Sequence, residues 1–130
     1  MSKNILVVAS HPDDEAIGCG GTIAKHVEKK DSVHLVFMSD GVTSRKSSSK
    51  KELKLRTNAA NLSASILGVT SVSYLKFPDN KMDSVPFLEI VQKLEAIIIN
   101  LKPSVVYTHH YGDLNIDHQI VNRATLTAFR

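Results

Sequence analysis

A three-layer α/β fold, with helices on both faces of a mostly parallel sheet, is predicted by three features of this sequence. Short β-branched apolar runs recur four times, a stretch of helical periodicity follows each of them, and turn residues mark the joints.

The first strand is Asn4 to Ala9, a continuous apolar run of the kind a strand buried on both faces requires. Asp14 to Lys29 follows as a helix, with Ile17, Ile23, Ala24 and Val27 expected on one inward face. Ser32 to Met38 is the second strand, ended by the turn Ser39-Asp40-Gly41 and a loop rich in serine and lysine. Lys51 to Leu67 forms a long helix with Leu53, Ala60, Ala64 and Leu67 on one stripe, closed by Gly68 as its C-terminal cap. Val69 to Phe77 gives the third strand and Pro78-Asp79-Asn80 a turn. Val85 to Leu101 is a helix that cannot continue through Pro103. Ser104 to Thr108 is the fourth strand, and beyond the polar segment His109 to Asn115 a last helix covers Asp117 to Phe129. Residues 1–130 thus make a single domain. An open sheet of four strands leaves an edge needing cover, and the final helix has no finishing turn; the sequence reads as the N-terminal part of a longer, truncated domain.

Composition narrows the function classes. An apolar fraction of 42% with 22% charged residues suits a globular protein. The net charge of +3 is concentrated between Arg45 and Arg56, where Lys46, Lys50, Lys51 and Lys54 meet only Glu52; a solvated loop and helix face accounts for this better than an anion site. With 5% aromatic residues and none interleaved in that run, no nucleic-acid binding is expected. The single cysteine, Cys19, excludes an intrachain disulfide and reads as a small packed residue. The apolar runs are too short to cross a bilayer and Met1 to Asn4 lacks a signal-peptide core, so a cytoplasmic location without stable membrane insertion is expected. Homo-oligomerisation is left open.

In parallel sheets, ligands bind beyond the C-terminal ends of the strands. Polar clusters fall there: His11 to Glu15 after the first strand, Ser39-Asp40 after the second, His109 to His118 after the fourth. His11 and Asp14 flank a tight strand-to-helix turn, and His118 opens a helix that faces the same crevice if strands one and four are neighbours. Two imidazoles and a carboxylate suit Zn²⁺ and tolerate Fe²⁺. Asp13 beside them is placed to act as a general base on a metal-bound water, and Asp117 to orient an imidazole. The plainer reading of the acidic run is helix capping, which also suits Glu15. His26 and His34 lie away from the strand ends and read as structural or surface residues. Gly18, Gly20 and Gly21 do not make a dinucleotide-binding spacing; close helix-to-sheet packing or approach of a substrate is the expectation for them.

The run Ala9-Ser10-His11-Pro12-Asp13-Asp14-Glu15 followed by Gly18-Cys19-Gly20-Gly21 resembles the signature of the PIG-L/LmbE-like N-deacetylases. Asp40-Gly41, Leu67-Gly68-Val69 and Asp117-His118 follow in the family's order. The resemblance implies a Rossmann-like three-layer sandwich and a zinc-dependent hydrolase that removes the N-acetyl group of an amino-sugar conjugate, a small molecule. It implies His11, Asp14 and His118 as zinc ligands, Asp13 as general base, and Arg56 as a substrate-binding residue. Where the family commonly has His-Pro-Asp-His, this chain has Asn115-Ile116-Asp117-His118. Asn115 can hydrogen-bond substrate but carries no proton at neutral pH. His109 or His110 at the tip of strand four is then the substitute imidazole, with His110 taken as the catalytic candidate. The alternative is a non-catalytic α/β module that binds metal or sugar.

Overall fold

The computed structural model describes all residues 1–130. Strands β1 (Asn4–Ala9), β2 (Ser32–Ser39), β3 (Ser71–Phe77) and β4 (Val105–Tyr107) alternate with helices α1 (Asp14–Glu28), α2 (Lys50–Leu67), α3 (Phe87–Leu101) and α4 (Ile116–Ala128). The sheet is parallel throughout in the order β3-β2-β1-β4. The chain therefore builds outward from β1 to β3 and then reverses to place β4 on the other side of β1. That reversal is the topological switch point at which parallel sheets open a crevice.

Side-chain alternation along the strands divides the core in two. Leu6, Val8, Val36 and Met38 point to one face and pack with Ile90, Val91 and Leu94 of α3 and Val121 and Ala124 of α4. Ile5, Val7, Ala9, Leu35 and Phe37 point to the other and meet Ile23 of α1 with Ala60 and Ala64 of α2. The three layers are thus helices, sheet and helices, as the sequence predicts.

Helix ends follow local chemistry. Ser49 and Glu52 form a reciprocal capping box at the start of α2. Gly68 ends that helix with φ 76°, and a Cβ there would lie 2.7 Å from Val27 Cγ1. Helix α3 starts at Phe87 rather than Val85, because Pro86 is its N-cap, and an unforeseen turn of 3₁₀ helix occupies Met82–Ser84. Strand β3 begins at Ser71, two residues later than Val69. Two expectations about α1 are corrected. Cys19 has non-helical angles (φ −145°, ψ 21°), so the helical phase resets there; Ile23 is buried and Val27 half-buried, but Ile17 is 84% exposed and Ala24 is exposed as well. At Gly18, Gly20 and Gly21 an added Cβ would meet nothing within 4 Å, so these glycines do not serve close packing. No helix is long and apolar enough to cross a membrane.

Candidate metal centre

The switch point gathers side chains from the ends of three strands. His11 leaves β1, Asp14 opens α1, Asp79 follows β3, and Asp113, Asp117 and His118 follow β4. Gly41 (φ 71°) closes the loop after β2 against them; a Cβ there would stand 3.2 Å from His11 Cβ and 3.3 Å from Pro12 Cδ, so only glycine fits without displacement.

Three atoms that could hold a metal ion form a near-equilateral triangle. His11 Nδ1 lies 3.3 Å from Asp14 Oδ2 and 3.3 Å from His118 Nε2, and His118 Nε2 lies 3.1 Å from Asp14 Oδ2. Zinc bonds of about 2.0–2.1 Å in tetrahedral geometry separate neighbouring donors by about 3.3 Å, so the residues present fit such an ion. Asp14 Oδ2 also accepts the backbone N–H of His11 at 2.9 Å, which fixes the carboxylate across the turn.

The other nitrogen of each imidazole is already committed. His11 Nε2 donates to Asp117 Oδ2 at 2.9 Å and lies 3.2 Å from Asp79 Oδ1. Asp117 is completely buried and is held by the N–H groups of Asn80 (2.7 Å) and Met82 (3.2 Å). His118 Nδ1 donates to Asp113 Oδ2 at 2.8 Å. With a cation in the triangle in place of a proton, both hydrogen bonds would leave the inward nitrogen's lone pair for it, which is the arrangement carboxylates impose on metal-bound histidines.

Electrostatics follow from this crowding. Burial opposes a charge on His11, but the hydrogen bonds and charges of Asp117 and Asp14 together outweigh it and raise its pKa to about 10. Burial acts on Asp14 and Asp117 in the upward direction and is likewise outweighed, chiefly by His11, so both stay below the ordinary carboxylate range. A pocket that favours positive charge this strongly is one where a cation is stabilised.

Asp13 directly precedes Asp14 in the chain, and its carboxylate is 43% exposed and 3.4 Å from Arg56 Nη1. The structure thus brings Arg56 of α2 to Asp13, across a small cavity that both line. Asn115 is placed differently from the sequence expectation. Its Oδ1 caps α4 by accepting the N–H groups of Asp117 (2.9 Å) and His118 (3.3 Å), and its Nδ2 donates to Asn80 Oδ1 at 3.0 Å. Its oxygen thus positions α4, and one of its two amide N–H donors is taken by Asn80.

Of the two imidazoles the sequence offers, His109 and His110, the structure sets His109 against Asp14 and His118. His110 is exposed, with Nδ1 accepting the Gly112 N–H at 3.2 Å and its ring against Tyr111. His109 instead stacks on His118, with centroids 3.9 Å apart and planes 18° from parallel, and its Nε2 is 3.6 Å from Asp14 Oδ2. That nitrogen accepts the Ser10 N–H at 2.8 Å, so it holds no proton; burial is the main cause that pushes its pKa down to about 4. Both histidines line a cavity of about 410 Å³ together with Asp14, Glu15, Cys19 and Tyr107. Asp79 was missed in the sequence, where it lies in an ordinary Pro-Asp-Asn turn; an acidic residue just past the end of a parallel strand was the available signal. His26 and His34 do stand apart, bonded to Asp31 and Tyr107 and to Ser71 respectively.

The profile of the PIG-L family, described as GlcNAc-PI de-N-acetylase, matches residues 6–129. An uncharacterized deacetylase of Escherichia coli K12, YaiS, is 32% identical over 98% of this chain and 69% of its own length. A diacetylchitobiose deacetylase of Thermococcus kodakarensis is 35% identical over 80% of this chain and 39% of its own. Among solved structures, an N,N'-diacetylchitobiose deacetylase from Pyrococcus horikoshii superposes with TM-score 0.85 at 28% identity, over 98% of this chain and 49% of that one. A 4-carboxy-2-hydroxymuconate hydratase, GalB, from a Pseudomonas superposes equally well, TM-score 0.85 at 26% identity, covering 97% of this chain and 55% of that one. The chain thus spans between about two fifths and two thirds of the length of these relatives.

Proposed function

The chain belongs to the PIG-L (GlcNAc-PI de-N-acetylase) family, and on that premise we propose that it hydrolyses the N-acetyl group of an amino-sugar conjugate with a metal ion, Zn²⁺ or Fe²⁺, held by His11, Asp14 and His118. The observation that carries this reading is the 3.1–3.3 Å triangle of donors, with the carboxylate of Asp13 on the residue preceding Asp14. Relatives named as deacetylases of diacetylchitobiose and of N-acetyl-alpha-D-glucosaminyl L-malate support an N-acetylglucosamine-type substrate.

Bound zinc supplies Lewis acidity, lowering the pKa of water and polarising a carbonyl. The chain's own residues do the rest. Asp117 and Asp113 keep His11 and His118 in the ligating tautomer. Asp13 takes a proton from the attacking water as its oxygen bonds to the amide carbon. When the C–N bond breaks, Asp13 returns that proton to the nitrogen, giving acetate and the free amine. In this reading Asp13 acts in both directions, while His109 Nε2 accepts from Ser10 and His110 Nδ1 accepts from Gly112. Arg56 holds the carboxylate of Asp13 and meets the substrate from the α2 side.

The experiment is metal analysis of the purified protein with an acetate-release assay on a panel of N-acetylglucosamine conjugates, each repeated on His11→Ala. Stoichiometric metal and acetate release, both lost in the variant, are expected; metal without release from any conjugate refutes the hydrolase. The likeness to a hydratase favours a second reading, addition of water to an unsaturated acid at the same centre. Consumption of such an acid without acetate release selects it.

A further inference from the structure

Glu15 has no part in the reaction as described, yet it is 2% exposed and carries a carboxylate into the interior beside the site. Its one side-chain hydrogen bond to a neighbouring residue is unusual. Glu15 Oε2 accepts the backbone N–H of Asp13 at 3.0 Å, two residues back. Asp13 itself has φ 147° and ψ −26°, a conformation that L-residues rarely adopt. Its side chain makes no capping hydrogen bond that would explain the distortion. The rotated peptide is what turns the Asp13 N–H inward to Glu15. The Asp13 carboxylate goes the other way, half-exposed and against Arg56. Residues on either side are already committed: the His11 carbonyl accepts the Asp14 N–H, and the Asp13 carbonyl accepts Ile17 N–H.

We propose that Glu15 is a positioning residue that holds Asp13 in this left-handed turn, and so holds the proton-transferring carboxylate in register with the metal triangle. The idea rests on the deacetylase reading for its kinetic consequence, but not for its structural one. A carboxylate accepting a backbone N–H is a strong, charge-assisted bond, which suits it to keep a strained peptide in place. Released, the peptide relaxes towards negative φ and swings the Asp13 carboxylate away from Arg56, while His11, Asp14 and His118 keep their own supports. Strained residues of this kind persist where surrounding structure over-determines them, and cluster at sites of chemistry.

The test compares Glu15→Leu, which fills the volume without an acceptor, with Glu15→Gln, which keeps a side-chain oxygen for the Asp13 N–H. In the full-length protein, Glu15→Leu is expected to lower kcat about 10²-fold at unchanged KM and unchanged zinc stoichiometry, as a small misplacement of a reacting group does. Glu15→Gln is expected to restore kcat to within about threefold of wild type. In an Asp13→Ala background, Glu15→Leu should cost nothing further. An equal loss in both backgrounds, a Gln variant as impaired as the Leu variant, or loss of zinc would overturn the proposal. The amide-exchange rate of Asp13 separates this from failure of the activity itself. If no substrate is turned over by the wild type, fast exchange at Asp13 in Glu15→Leu alone still supports the positioning role, and unchanged exchange overturns it.

Discussion

Replacing Asp117 by asparagine tests the centre through a residue that touches no metal. The side chain is completely buried, keeps its shape, and accepts three hydrogen bonds: from His11 Nε2 at 2.9 Å, Asn80 N at 2.7 Å and Met82 N at 3.2 Å. Oriented to satisfy His11 and Asn80, the new amide turns its NH₂ group at the Met82 N–H. One buried donor then faces another, at a cost of about 1–3 kcal/mol in folding stability. The His11 imidazole also loses the anion that makes it a better ligand. Loss of such a supporting carboxylate lowers metal affinity about 10–100-fold, or about 1.4–2.7 kcal/mol. The assay is competition against a chromophoric zinc chelator at neutral pH, with urea unfolding of chelator-treated protein run alongside to secure the folded fraction. Wild-type affinity, within about threefold, in a variant shown to be folded would refute the claim that Asp117 sets the tautomer and basicity of His11.

Three further outcomes follow from other parts of the molecule. Asp13→Asn should retain zinc and lower acetate release by about 10²–10⁴-fold, the usual range for a general base; metal loss on atomic absorption would instead make Asp13 a ligand. Gly68→Ala puts a Cβ 2.7 Å from Val27 Cγ1 at φ 76°, which should destabilise the fold by about 2–4 kcal/mol in urea titration without changing zinc affinity. Burial holds His34 below its ordinary pKa of 6.5. As pH falls through about 6.5 the unfolded chain therefore gains this proton first, and stability is lost from there down to the folded-state value. Against that background His34→Gln should flatten the acid limb of the stability–pH curve, and parallel curves for the two proteins would contradict it.

What could be read in the sequence was whatever local pattern determines. Continuous β-branched runs marked the strands because a buried parallel strand tolerates little else, and Gly68 marked a helix end because only φ above zero closes that turn. His11, Asp14 and His118 were legible as a group because all three lie just past strand ends, where a parallel sheet gathers its ligands. Asp79 was not, since nothing in Pro78-Asp79-Asn80 tells that β3 ends within reach of His11; its partners Ser44 and His11 come from other loops. The kink at Cys19 was hidden because apolar periodicity presumes an unbroken helix.

That His109 is the one set against Asp14 and His118 has a physical reason that the sequence does carry. Val105 and Tyr107 pack on the α1–α2 side of the sheet and Val106 on the other. Extending that alternation past the end of β4 sends His109 to the side of Tyr107, where both line the cavity next to Asp14. The same alternation along β1 carries the series Val7, Ala9 on to His11. Two histidines therefore reach one crevice from adjacent strands. Ser10, between Ala9 and His11, spends its N–H on His109, so the backbone that carries His11 to the crevice also occupies one nitrogen of the imidazole beside it. With Asn115 Oδ1 capping α4 and the Asp113, Asp117 and Asp79 carboxylates bonded to or against the imidazoles, the base role proposed for Asp13 falls to a carboxylate whose one ion pair is with Arg56.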